Sequence, residues 1–197
     1  MKKVLPVSNA LIPDHATKVF TGKIFDVYQW PQKQFDGTTK TFEMLKRPDT
    51  VQVLVVRGTQ ILLVEDEQPG RTPRLHFPGG RADEDDSWEA AAKRELREET
   101  GLVCDKWRLI SVEQPIIKIE WFTPIFLATT ISAELKQQLD GGGEKITLHW
   151  HDFDDVRKRV LNGEEQMMQY LVPFFNRIHS LKELREMPEF IGKVVDR

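Results

Sequence analysis

Hydrophobic and polar positions alternate along most of this chain at the period of strands, with one long exception. The first 17 residues carry little periodicity and predict a loosely attached arm. Lys18–Tyr28 and Thr38–Lys46 then read as two strand-like runs flanking Asp36-Gly37, a hairpin signal because glycine readily takes positive φ. Pro48 and Asp49 mark a break. The β-branched runs Val51–Arg57 and Gln60–Glu65 predict core strands joined at Gly58-Thr59. A polar loop, residues 66–74, leads to a short strand over Leu75–Pro78. Strands are also expected at Lys106–Gln114, at Ile116–Ile131 with an interruption at Pro124, and at Lys145–Trp150. A short helix is expected over Ser132–Leu139 and helices over 153–161 and 164–179, separated by Asn162-Gly163, and the charged tail from Leu181 reads as surface.

The exception lies after Pro78-Gly79-Gly80, where the period changes from two to 3.6. Trp88, Ala92 and Leu96 form an apolar stripe, and Gly101 fits the position just past a helix C-terminus. Asp86 with Glu89 resembles a capping box, and Ser87 is an equally good cap. On this helix Glu95, Glu98 and Glu99 stand at i, i+3 and i+4, within an arc of about 100°. Like charges at that spacing repel by a few tenths of a kcal/mol, roughly, per pair. A hard divalent cation with oxygen ligands would offset the repulsion.

Composition narrows the field. The 197 residues are 40% hydrophobic and 30% charged, ordinary for a globular protein with one sizeable core. A net charge of −3 gives no electrostatic reason to expect nucleic acid as a partner. The single cysteine, Cys104, precludes an internal disulfide and fits a reducing compartment. No apolar run approaches the roughly 20 residues of a membrane span. The first residues begin like a signal peptide, but Pro6, Ser8, Asn9 and Pro13 interrupt the apolar region. The expected location is the cytoplasm.

Gly80–Leu102 resembles the Nudix box, G-x5-E-x7-R-E-U-x-E-E-x-G-U with U aliphatic. Gly80, Arg94, Glu95, Leu96, Glu98, Glu99, Gly101 and Leu102 match at the required spacing over 23 residues. Asp86 stands where the family has glutamate. It either serves in that place, only caps the helix, or yields the role to Glu84. The resemblance implies an α/β fold, an α/β/α sandwich with a mixed sheet, here with an N-terminal β-hairpin subdomain. The expected division is 1–47 for the arm and hairpin, 48–180 for the hydrolase domain and 181–197 for the tail.

It also implies Mg²⁺-dependent hydrolysis of a nucleoside diphosphate linked to another group, with Mn²⁺ a possible substitute. By the family pattern Glu95 and Glu99 are the principal metal ligands, Glu98 is a further ligand or a base, and the Gly80 carbonyl joins them. Arg94 orients a box glutamate. The chemistry agrees, since an anionic diphosphate must be neutralised and a water positioned before attack.

Outside the box, from about Phe20 to about Ile178, the pattern is similar to the ADP-ribose and nucleotide-sugar pyrophosphatases. Glu43, Arg47 and Val51 have the spacing of that group's E-x-x-x-R-x-x-x-V stretch. Its hairpin exchanges between subunits, which implies a homodimer. That group's mobile acidic loop supplies a catalytic glutamate, and Glu144, after three glycines, is the counterpart here. Glu120 is a further candidate on the substrate side, and Trp30 or Trp121 could stack on a base. Three departures stand out: His76 replaces a glutamate, Gly79 replaces an alanine, and Pro115 lies only 13 residues after Leu102. Hydrolysis of another nucleotide, a triphosphate or dinucleoside polyphosphate, is therefore the alternative within enzymes. A catalytically weak ligand-sensing module is the alternative outside them.

Overall fold

The computed structural model describes residues 2–7, 10–83, 86–139, 143, 145–164 and 166–196. The strands are β1 Lys2–Leu5, β2 Thr17–Thr21, β3 Asp26–Lys33, β4 Thr39–Lys46, β5 Gln52–Arg57, β6 Gln60–Glu67, β7 Arg74–His76, β8 Leu102–Glu113, β9 Ile119–Glu120, β10 Thr123–Glu134, β11 Lys145–Asp152 and β12 Lys193–Asp196. The helices are α1 Trp88–Thr100, α2 Phe153–Leu161, α3 Val172–Asn176 and α4 Leu181–Glu186, with a 3-10 helix over Gln166–Leu171.

The main sheet runs β11-β6-β5-β10-β8, with β7 added to β6. It is mixed, because β10 lies parallel to β5 and antiparallel to β8. Both faces are covered, which is why β5 reads as a continuous apolar run rather than an alternating one. Val53 and Val55 point to one side and pack with Trp88, Ala91, Ala92 and Leu96 of α1. Leu54 and Val56 point to the other and meet Phe153, Val156, Phe174 and Phe175 of α2 and α3. Each such side chain contributes about 1.5–3 kcal/mol by leaving water. The result is an α/β/α sandwich. The N-terminal strands β2, β3 and β4, with β9 added at one edge, form a separate small sheet, β2-β3-β4-β9.

Several expectations need correction. The first run of the hairpin divides in two, because the Gly22 N–H bonds the Phe25 carbonyl and turns the chain. The strand flanking the Asp36-Gly37 turn is therefore β3, paired to β4 from Asp26↔Lys46 to Lys33↔Thr39. The arm is not loose: Leu5 and Ile12 are buried, and β1 pairs with β12. The tail likewise reaches the core, through Leu184 of α4.

No helix forms over Ser132–Leu139. β10 runs on to Glu134, and the next residues bond to the end of α1 rather than to themselves. Leu135 N–H donates to the Gly101 carbonyl and Gln138 N–H to the Glu98 carbonyl. The segment 164–179 is not one helix either, since Pro173 at the start of α3 cannot donate to the preceding turn.

Candidate active site

The site is built where the glycine turn meets α1. Ser87 is the N-cap and its hydroxyl accepts from Ala90 N–H. Gly101 closes the helix in the left-handed conformation, φ +73°. The helix's terminal carbonyls, which have no partners within it, are taken up by the segment after β10. The Gln137 amide donates to the Glu99 carbonyl (2.6 Å) and to that of Ile146 (3.1 Å). The turn carrying Glu98 and Glu99 is thereby fixed to β11.

The glycine turn is held from the sheet side. Val51 N–H donates to the Gly80 carbonyl at 2.9 Å and Val53 N–H to that of Pro78 at 2.8 Å. A Cβ on Gly79 would run into the Val51 carbonyl. On the helix side, Gly79 N–H donates to Glu99 Oε2 at 2.9 Å. The Glu95 carboxylate lies directly against Gly80, and a Cβ there would come within 2.7 Å of its Oε1. Glycine at 80 is what lets this carboxylate reach the turn.

Arg94 organises the charges. Its Nη1 donates to Glu95 Oε1 at 2.8 Å and to Glu98 Oε2 at 3.2 Å, and its Nη2 to the Arg81 carbonyl at 3.0 Å. Nε stands 3.5 Å from Asp86 Oδ2. Partial burial would lower the guanidinium's pKa, but the charges and hydrogen bonds of Glu95 and Glu98 outweigh it and raise the pKa above the usual arginine value. Asp86, although one methylene shorter than glutamate, still reaches Arg94. It does not cap the helix, a role Ser87 fills.

The structure thus brings Gly80, Arg94, Glu95, Glu98 and Glu99 together. Among the described residues no three acidic or imidazole side chains are grouped tightly enough to share an ion. Arg94 bridges Glu95 and Glu98 instead. The donor set nonetheless suits a hard divalent cation: carboxylate oxygens on one helix face, plus the Gly80 carbonyl, whose second lone pair remains after Val51 has bonded the first. Glu84 and Glu144 lie outside the described residues.

The family described as NUDIX domain matches residues 46–171. This chain belongs to the Nudix family. Its members generally depend on a divalent metal. The Nudix chain is 30% identical over 156 residues to the ADP-ribose pyrophosphatase of Bacillus subtilis, covering 77% of this chain and 80% of that one. It is 31% identical over 93 residues to an 8-oxo-dGDP phosphatase of Danio rerio, covering 47% of this chain but only 28% of the relative. A crystal structure of an ADP compounds hydrolase superposes with a TM-score of 0.61 at 17% identity, over 88% of this chain and 97% of that one. That likeness is one of fold.

Other candidates fall elsewhere in this Nudix protein. The Glu120 carboxylate is 3% exposed. It accepts from Ile12 N–H at 2.7 Å and pairs with Lys46 at 3.4 Å, so it is engaged in holding the arm. Trp30 is buried in the small sheet against Phe42. Trp121 lies beside Arg47, whose guanidinium carbon stands 4.5 Å from the indole centroid. Burial lowers the Arg47 pKa against the opposing charges of Asp49 and Tyr170, and its Nε is buried without a hydrogen-bond partner among the described residues.

One residue escaped sequence reasoning. Asp49, expected only as a break, is 5% exposed. Its Oδ2 accepts from Lys3 Nζ (2.6 Å) and Trp88 Nε1 (2.9 Å), its Oδ1 from Phe122 N–H (3.0 Å), and its carbonyl from Ala82 N–H (2.9 Å). The arm, α1, the residue before β10 and the chain leaving the glycine turn all meet there. An aspartate after Pro48 signals a turn in sequence, and nothing local announces its distant partners.

Proposed function

We propose that this protein is a Mg²⁺-dependent pyrophosphohydrolase that cleaves the diphosphate of ADP-ribose or a nucleoside diphosphate sugar to a nucleoside monophosphate and a sugar phosphate. The observation carrying it is the packing of Glu95 and Glu99 against the Gly79-Gly80 turn, with Glu98 tied to Glu95 through Arg94, in a chain that aligns along most of its length with an ADP-ribose pyrophosphatase. Glu95, Glu99 and the Gly80 carbonyl would hold the metal, which when bound neutralises phosphate charge and lowers the pKa of a water. Glu98 is the candidate base, exposed enough to meet a water while Arg94 fixes its orientation. Arg94 bridges Glu95 and Glu98 and holds both in a defined geometry. Glu144 is proposed as a second acid–base group. Arg47 beside Trp121 offers a cation and an aromatic face to the nucleotide end.

A homodimer through the N-terminal sheet accompanies this reading. Val19 and Phe20 of β2 and Phe35 of the hairpin turn are exposed apolar side chains, which supports a covered surface. Light scattering on the intact chain distinguishes monomer from dimer.

A second reading, hydrolysis of an oxidised nucleoside diphosphate, is favoured by the 31% identity to the 8-oxo-dGDP phosphatase. Incubation with Mg²⁺ or Mn²⁺ and a panel of conjugates separates the two. AMP and ribose 5-phosphate from ADP-ribose support the first. Turnover confined to 8-oxo-dGDP supports the second, and no turnover of any conjugate overturns both.

A further inference from the structure

A cavity of about 740 Å³ opens between β8, β10 and α4, a volume in the range of small-molecule sites. It adjoins the C-terminal end of β5, whereas the glycine turn bonds its N-terminal side. At about 3.3 Å per residue, the strand separates them by roughly 16 Å. The cavity is distinct from the Nudix site.

Its lining has an excess of positive charge. Lys106, Arg108 and Arg185 face it, against the carboxylates of Asp105 and Glu189. Among the described residues neither arginine has an ion pair. Arg108 Nη2 donates to the Arg185 carbonyl, and Arg185 donates to that of Gly58. Arg108 Nε is buried with no hydrogen-bond partner among the described residues. Each guanidinium is thus anchored on a backbone carbonyl and no carboxylate balances its charge, which suits it to pair with an anion.

The backbone at this wall is strained as well. Thr130 has φ +62°, and it is the one non-glycine residue with positive φ among those described. β-Branched side chains avoid this conformation, and such strain is held preferentially at functional sites. Thr130 adds a hydroxyl to the cations, while Val56 and Leu127 supply an apolar floor.

We propose that this cavity is a second ligand site, which takes the phosphomonoester of a small organic molecule. The phosphate dianion sits on Arg108 and Arg185, with Lys106 and Thr130 at its edge. The organic part lies over Val56 and Leu127. A planar guanidinium matches phosphate oxygens two at a time, so two arginines are better suited to this than lysines.

The test is isothermal titration calorimetry on the full chain in EDTA, which suppresses metal-assisted binding at the Nudix box. Inorganic phosphate, ribose 5-phosphate and AMP are titrated separately, so that free phosphate, sugar phosphate and nucleotide sources are told apart. Binding of ribose 5-phosphate or AMP is expected, tighter than that of inorganic phosphate. It should persist in Glu98→Gln and weaken at least tenfold in Arg108→Met. Arg185→Ala, on an exposed side chain, should weaken it too, and serves if Arg108→Met fails to fold. Absence of binding by both esters, or binding of inorganic phosphate alone, overturns the proposal. So does binding that the folded arginine variants leave unchanged, or that Glu98→Gln abolishes.

Discussion

The Glu95 carboxylate fills the space in which a side chain on residue 80 would have to lie. A Cβ added to Gly80 would come within 2.5 Å of Glu95 Cδ. Gly80→Ala should therefore push the carboxylate away from the turn while leaving the helix intact. A displacement near 1 Å commonly costs about 100-fold in rate. Steady-state hydrolysis of ADP-ribose at saturating Mg²⁺, beside a thermal melt, checks this. An unchanged rate would remove Glu95 from its proposed place.

Arg94→Lys should also be damaging, despite the retained charge. The guanidinium serves Glu95, Glu98 and the Arg81 carbonyl together, and a single ammonium cannot reproduce that fork. We expect a fall in kcat of roughly tenfold or more, about 1.4 kcal/mol, and a metal titration shifted from that of the parent. The folded pKa of Arg94 is raised, so the ion-pair stabilisation is complete below the ordinary arginine range. It is lost only as pH rises through the raised value. Between about pH 6 and 9 the difference in stability between parent and variant should not change with pH.

Cys104 gives a prediction in the alkaline range. Burial, with a smaller contribution from the Asp105 charge, raises its thiol pKa to about 11 from 9.0. The unfolded thiol loses its proton first, so the associated stability is whole below pH 9.0 and is lost as pH climbs towards 11. At pH 8 the folded protein then holds about 100-fold less thiolate than the unfolded chain. Alkylation by iodoacetamide, followed by mass spectrometry, should be slow in native buffer and fast in denaturant. Equal rates would contradict the burial.

Asp49→Ala removes one partner of a buried pair and leaves Lys3 and Trp88 Nε1 unanswered. The expected loss is about 3–5 kcal/mol, read from denaturant unfolding. Asp49→Asn keeps the acceptors but not the charge and should fall between parent and alanine variant. A loss below about 0.5 kcal/mol for the alanine variant would show that the contacts carry no weight.

Much of the candidate site was legible because its parts are close in sequence. Gly80, Arg94, Glu95, Glu98 and Glu99 sit on one turn and one helix, where spacing alone decides which side chains share a face. β5 and β6 were legible for a related reason, since strands buried on both faces are apolar throughout. The misreadings arose where distant partners override local preference. Residues 132–139 lack a helix because the carbonyls at the end of α1 take their N–H groups. The arm and tail were read as peripheral, yet each sends an apolar residue inward and the two pair with one another. Asp49 and Gln137 act over separations that no local pattern encodes.

Arg94 has one more implication, for how the protein would take up the proposed metal. A guanidinium already lodged between Glu95 and Glu98 lets the acidic face assemble without an ion, as a scabbard keeps its shape without the blade. Metal binding then becomes an exchange of partners rather than a folding event. Chelators should accordingly silence this protein without unravelling it, unlike small domains whose structure exists only around their metal.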